Sequence, residues 1–216
     1  MKNMSVSEKS GLKMNNGKNS SISGKGWFRK PGCAYHRKHE IMYRFMRPLR
    51  PFLKELDKLN CYTPAFDHVM NENTEHGVKG SYPILRIDYP KVILTKGKLP
   101  NPPALSVSPL KSGKLVFRWT DNSGISESLP SDLLFVAVYN CKLCRWIFKV
   151  DVADRSDCLY SMDATLFTGK PVQVYAGFIS EDSHQISTSL FWEKQGYFKC
   201  FFLTAIFLTI FPKMIN

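Results

Sequence analysis

Residues 133–151 read LLFVAVYNCKLCRWIFKVD, and they decide the fold. Leu133–Tyr139 is apolar at every position, as a strand buried on both faces should be. Arg145–Asp151 alternates instead, with Trp146, Phe148 and Val150 pointing one way. That is the period of a strand with one wet face. Cys141-Lys142-Leu143-Cys144 lies between them, where a turn is needed. The pair predicts a β-hairpin whose first strand sits deep inside a sheet.

Working outward, Lys114–Thr120 alternates Leu115, Phe117 and Trp119 against Val116, Arg118 and Thr120. A short strand is expected at Ala104–Ser108 and a weaker one at Cys158–Leu166. Val172, Val174, Ala176 and Phe178 form a further inward set, and Ile186, Thr188 and Leu190 the last. Asp121-Asn122-Ser123-Gly124 is turn chemistry: short side chains that bond their own backbone, then a glycine free to take positive φ. About seven short strands over roughly ninety residues, punctuated by turns, predict a seven-stranded antiparallel immunoglobulin-like sandwich over residues 101–192. The breaker Asn101-Pro102-Pro103 marks its upstream boundary.

Upstream the period becomes helical. Met42, Phe45, Met46, Leu49, Phe52, Leu53, Leu56 and Leu59 recur at three- and four-residue steps, one face of a helix. Pro48 and Pro51 interrupt it and bias Arg47 and Arg50 away from helical dihedrals. A first helix, a kink and a second helix opening near Pro51 follow. Thr63-Pro64 reads as an N-cap with proline at the first helical position, starting another helix that Gly77 stops near His76. Leu85, Ile87 and Tyr89 then alternate with Arg86 and Asp88, and Val92–Leu94 reads as a further strand. Residues 36–100 are therefore expected to be a helical region plus a β-hairpin, and the fold class mainly β with N-terminal helices.

Several of these runs resemble a family of uncharacterised bacterial proteins, known as a domain of unknown function. The resemblance rests on Arg47-Pro48-Leu49-Arg50-Pro51-Phe52-Leu53, Ile87-Asp88-Tyr89-Pro90-Lys91-Val92, Trp119-Thr120-Asp121-Asn122-Ser123-Gly124, Val136–Asn140, Arg155-Ser156-Asp157 and Val174–Asp182. It covers roughly residues 41–192 and implies no activity. Members usually open with a Gly/Lys-rich segment, of which Ser23-Gly24-Lys25-Gly26-Trp27 is present here, and they end soon after the last strand. The C-terminal part is also similar to fibronectin type III and other immunoglobulin-like sandwiches, with Trp119 and Tyr175 where such domains carry core aromatics. That likeness implies a fold and not a role.

The chain has 216 residues, is 44% hydrophobic and 22% charged, and carries a net charge of +12, which excludes collagen-like, low-complexity and membrane-embedded classes. The charge is uneven: residues 1–60 hold fourteen Lys/Arg against four Asp/Glu. Residues 1–35 read as a basic disordered leader, too poor in apolar side chains to offset their ordering entropy. The leader has no apolar core of a secretory signal, so a cytoplasmic location is the expectation. Cys200–Phe211 reads CFFLTAIFLTIF. Within an apolar tail at 193–216, residues 197–212 are short for a spanning helix, which needs about 20 residues. A tail anchor, an extra buried element and a read-through extension all remain open there.

The chemistry-bearing residues form no specific constellation. Cys141 and Cys144 have the spacing of zinc knuckles and redox sites, but zinc needs a second pair. Cys33, His36 and His39 would reach them only through a long-range arrangement, and a hairpin turn containing cysteines is favoured. Without a secretory signal, Cys33, Cys61, Cys141, Cys144, Cys158 and Cys200 are expected as reduced thiols. His68 and His76 lack a third ligand. Asp151, Asp154 and Asp157 lack the glycine and glutamate of a calcium loop, and Glu181-Asp182-Ser183-His184 reads as a polar turn. No catalytic, cofactor-binding or metal residues are assigned, and no cofactor is implied. The leading expectation is a non-enzymatic binding or structural protein whose partner is another protein, met through sandwich loops or an edge strand. The alternatives are nucleic-acid binding through residues 1–60 and membrane attachment through residues 197–212, assisted by basic residues.

Overall fold

The structure is a computed structural model that describes residues 31–58, 66–110, 112–181 and 185–194. Helix α1 spans Pro31–Met46, opening inside the stretch read from sequence as leader. Pro48 cannot donate a backbone hydrogen bond, and the chain tightens into a 3₁₀ turn at Arg47–Leu49. It resumes as α2, Arg50–Lys58, with Pro51 in the first turn where no N–H is required. The kink therefore falls where the prolines place it. Met42, Phe45, Met46, Leu49, Phe52 and Leu56 are buried along one side of this bent pair. Helix α3, Phe66–His76, ends as the Gly77 N–H bonds the Asn73 carbonyl at 2.8 Å. Its expected cap, Thr63-Pro64, lies outside the described residues.

A hairpin follows, β1 (Val78–Ser81) against β2 (Ile84–Ile87), turning through Tyr82-Pro83. Val92–Leu94, expected as a strand, is not one. A 3₁₀ turn at Tyr89–Lys91 leads into an extended segment whose backbone is satisfied by side chains. Asn73 brackets Ile93, donating from Nδ2 to its carbonyl at 2.7 Å and accepting its N–H at 2.9 Å. The Leu94 N–H donates to Ser189 Oγ at 2.9 Å. With these groups supplying the partners, no ladder is needed.

The remaining strands are β3 (Ser106–Pro109), β4 (Lys114–Arg118), β5 (Leu133–Asn140), β6 (Arg145–Lys149), β7 (Leu159–Asp163), β8 (Val172–Ile179) and β9 (Leu190–Lys194). Among the described residues, nine strands form three antiparallel sheets: β1-β2, β3-β4-β7 and β6-β5-β8-β9. The last strand starts later than its sequence pattern suggested. Ile186 and Ser187 make only isolated bridges, to Ile179 and Lys98, and the ladder begins where Leu190 meets Ala176.

The four-stranded sheet is buried on both sides, which explains the unbroken apolar run in β5. Leu134, Val136, Val138, Val174, Ala176 and Phe178 face Val107, Leu115, Phe117 and Met162 of the three-stranded sheet. The alternate residues Phe135, Ala137, Tyr139, Tyr175 and Ile179 pack with the apolar side of α1 and α2. Because successive side chains on a strand point to opposite faces, one strand serves two cores. The second core also takes in Val92 and Leu94, so it crosses the Asn101-Pro102-Pro103 boundary.

Candidate functional site

Arg155 is a fully buried charge. It opens a 3₁₀ turn at Arg155–Asp157, fixed by a capping box in which Asp154 and Asp157 bond each other's backbone. Its side chain is fully buried and donates from Nε to Asp132 Oδ2 at 2.9 Å, from Nη1 to Asn122 Oδ1 at 2.6 Å and from Nη2 to the Pro100 carbonyl at 3.1 Å. The guanidinium also lies 4.5 Å from the centre of the Phe178 ring. Burial pulls its pKa below the usual arginine value, and Asp132 opposes that pull. On the main chain, its N–H bonds the Asp132 carbonyl at 2.8 Å, and its carbonyl accepts the Trp119 indole N–H at 2.6 Å. Every donor of this planar fork faces inward, so the cluster ties three loops to the sheet and presents nothing to a ligand.

A second group combines rings and thiols. Trp146 donates its indole N–H to the Phe45 carbonyl at 2.9 Å, pinning α1 to β6. Around that bond Phe45, Tyr89, Tyr139, Trp146, Tyr175 and Phe191 stack at tilted angles, and Tyr175 donates its hydroxyl to the Tyr89 carbonyl at 3.0 Å. At its rim, Cys141 and Cys144 occupy the turn between β5 and β6, where Asn140 Oδ1 accepts the Leu143 N–H at 2.8 Å. Cys144 takes a left-handed conformation, φ 50°, and its thiol donates to the Cys141 carbonyl. The phenols of Tyr89 and Tyr139 are pushed well up, chiefly by burial and then by bonds with Cys141 and Cys144 respectively. Both thiols are free.

The third place is open to solvent. At the bend between α1 and α2, Tyr43, Arg44, Arg47, Pro48, Arg50 and Pro51 line a groove of about 500 Å³. Arg44 is tied to Glu40, which also accepts from Arg37 and whose carboxyl is held below its usual range, first by Arg37. The Arg50 guanidinium lies 4.7 Å from the Phe66 ring centre and 5.6 Å from that of Tyr43. Among the described residues, neither Arg47 nor Arg50 forms an ion pair with a carboxylate. The groove itself comes from the bend, whose signal was the pair Pro48 and Pro51.

Among the described residues no three His, Cys, Asp or Glu side chains come together to hold a metal. His36 and His39 sit on α1, and His68 and His76 on α3. Asp154 and Asp157 are spent on the capping box. The Cys33 side chain, Cys61, Cys200 and the turn at 182–184 lie outside what is described. So do residues 1–30 and the tail at 197–212. Among the described residues no helix is long and apolar enough to cross a membrane.

Residues 9–193 match the family described as "Family of unknown function (DUF6266)". The chain belongs to this family. Its DUF6266 motifs now have places: Trp119, Asn122, Arg155 and Phe178 meet in the buried ion cluster, Tyr89 and Tyr175 in the ring cluster, and Arg47–Leu53 forms the bend. No curated protein matches this DUF6266 member. Among solved structures it is similar to the fn3 domain of human contactin 1, at 12% identity and a TM-score of 0.36, covering 55% of this chain and 91% of that one. It is also similar to the FN1-FN3 domains of chicken CNTN1, at 8% identity and a TM-score of 0.32, covering 47% of this chain and 34% of that one. Likenesses at this level leave function to be read from the residues themselves.

Proposed function

We propose that this DUF6266 protein is a non-enzymatic binding or structural module whose partner is another protein. The partition of strands into three and four supports reading residues 101–194 as an immunoglobulin-like sandwich, with α1 and α2 as a third layer on the four-stranded side. The observation that carries the proposal is the fate of the motif polar groups. Arg155, Asn122 and Trp119, which a reader of the sequence alone could take for chemistry, use their polar atoms on one another and on the backbone. With β5 and β8 of the four-stranded sheet covered on both faces, the outer side of β3-β4-β7 offers, among the described residues, a surface for contact. Ser106, Ser108, Lys114, Arg118, Ser161 and Asp163 are exposed there.

The test places opposite charge on that face, Arg118→Glu together with Ser161→Glu, in the full chain. Unchanged thermal unfolding with loss of a co-purifying protein partner is the expected result. Turnover of any substrate, lost on substituting a named polar residue, would show the protein to be an enzyme and sink the reading.

A further inference from the structure

We infer that the groove at the α1–α2 bend is a binding site for an acidic segment of a protein partner, with Arg47 and Arg50 taking a carboxylate side chain. The inference rests on the reading of the protein as a protein-binding module and adds a site and a partner chemistry to it.

The bend gathers positive charge, with Arg44, Arg47 and Arg50 all lining the groove. Glu40 on α1 is occupied by Arg37 and Arg44 from its own helix, and among the described residues Glu55 on α2 forms no ion pair with the arginines of the bend. Arg47 and Arg50 are exposed and lack a carboxylate partner among the described residues. Arg50 is also held in place: Phe66 on α3 and Tyr43 on α1 both stack on it. Its exposed guanidinium keeps the planar N–H fork that matches a carboxylate fork to fork. Holding a long side chain beforehand removes much of the entropy an arginine otherwise loses on binding.

The rest of the lining argues for a peptide over a nucleic acid. Tyr43, Pro48 and Pro51 give apolar ring surface beside the charge, and the volume of about 500 Å³ suits a few side chains. A phosphodiester backbone offers repeated charges, and tight non-specific binding uses about 6–10 phosphate contacts. Two guanidinium groups without an ion-pair partner among the described residues fit one or two carboxylates better than such a track. A segment carrying both acidic and apolar side chains matches a groove lined by both guanidinium groups and rings.

The test uses the full chain and a fluorescent N-acetylated peptide of alternating Glu and Leu, with a Lys-for-Glu peptide and an oligothymidylate of about 20 nucleotides as comparison probes. The acidic peptide should bind at about 50 mM salt and weaken at about 200 mM, and Arg47→Ala should weaken it about tenfold or more. Arg47→Ala alters an exposed side chain, so its unfolding curve should overlie that of the parent. Arg47→Lys keeps the charge without the fork and should recover only part of the affinity. Failure of the acidic peptide to bind, binding indifferent to Arg47→Ala, or an Arg47 dependence found only with the oligonucleotide would each overturn the site. Those failures leave the outer face of β3-β4-β7 to be judged by its own charge reversal.

Discussion

Arg155 and Asp132 form an ion pair at 2.9 Å with both side chains fully excluded from solvent. Removing two charges from water is costly, and the geometry here offsets that cost with Asn122, the Pro100 carbonyl and the Phe178 ring. Breaking the pair from one side leaves a buried charge without its counter-charge. Asp132→Ala or Arg155→Ala should therefore cost about 3–5 kcal/mol, measured by urea unfolding. The double replacement Arg155→Met with Asp132→Leu should be less destabilised than the sum of the single changes. If the two single variants unfold like the parent, the pair is not what joins these loops.

Helices α1 and α2 cover a face of β5 and β8 that would otherwise be apolar and wet. Phe52 is fully buried, 5.7 Å from Phe135 and 5.5 Å from Phe148 between ring centres. Phe52→Ala should cost about 3–5 kcal/mol. A fragment of residues 101–194, lacking the helices, should aggregate or bind a hydrophobic dye, because Phe135, Tyr139 and Tyr175 become exposed. A soluble, cooperatively unfolding fragment would show the helical layer to be dispensable.

Gly177 lies in β8 where a side chain has no space. A Cβ there would lie 2.6 Å from the Phe135 ring and 2.6 Å from Ser187 Oγ, the oxygen that also accepts the Phe178 N–H. Neither neighbour has room to retreat inside a fully buried strand. Gly177→Ala should cost about 1–3 kcal/mol, whereas Gly124→Ala, with open space around its Cβ, is limited by its φ of 81° alone. Thermal melts of the two variants side by side check this.

Tyr89, Tyr139, Tyr160 and Tyr175 have phenols raised above their ordinary pKa, in each case first by burial. The folded state then holds more protons than the unfolded state once the pH exceeds about 10. Their contribution to stability is complete below that pH and falls as pH rises through the folded-state values. In a spectroscopic titration, these phenolates should appear together with the unfolding transition. Four phenols ionising near pH 10 with the fold intact would contradict their burial.

The strand pattern was legible where burial is one-sided or two-sided along a whole element. Leu115, Phe117 and Trp119, and Val172 through Phe178, point into the core the alternation assigned them. The α1–α2 kink was legible because proline acts locally. Val92–Leu94 misled for the opposite reason: its hydrogen bonds come from Asn73 and Ser189, residues far away in sequence whose side chains no local period reports. The buried ion cluster had the same weakness. Trp119-Thr120-Asp121-Asn122 and Arg155-Ser156-Asp157 stood out as motifs, yet their meeting depends on how three loops converge. The groove at the bend depends likewise on Phe66 of α3 arriving beside Arg50.

The bond from Trp146 to the Phe45 carbonyl spans a sequence separation of 101 residues. A ribosome releases α1 and α2 long before it releases the strands they lie on. During that interval the stripe of Met42, Phe45, Leu49 and Phe52 lacks the four-stranded sheet, which β9 completes only after Lys194 has emerged. Closing such a distant contact is entropically slow, and folds dominated by distant contacts form slowly. Synthesis order thus makes the nascent chain of this family vulnerable at its beginning, and a chaperone that shields an amphipathic helix would act on residues 31–58.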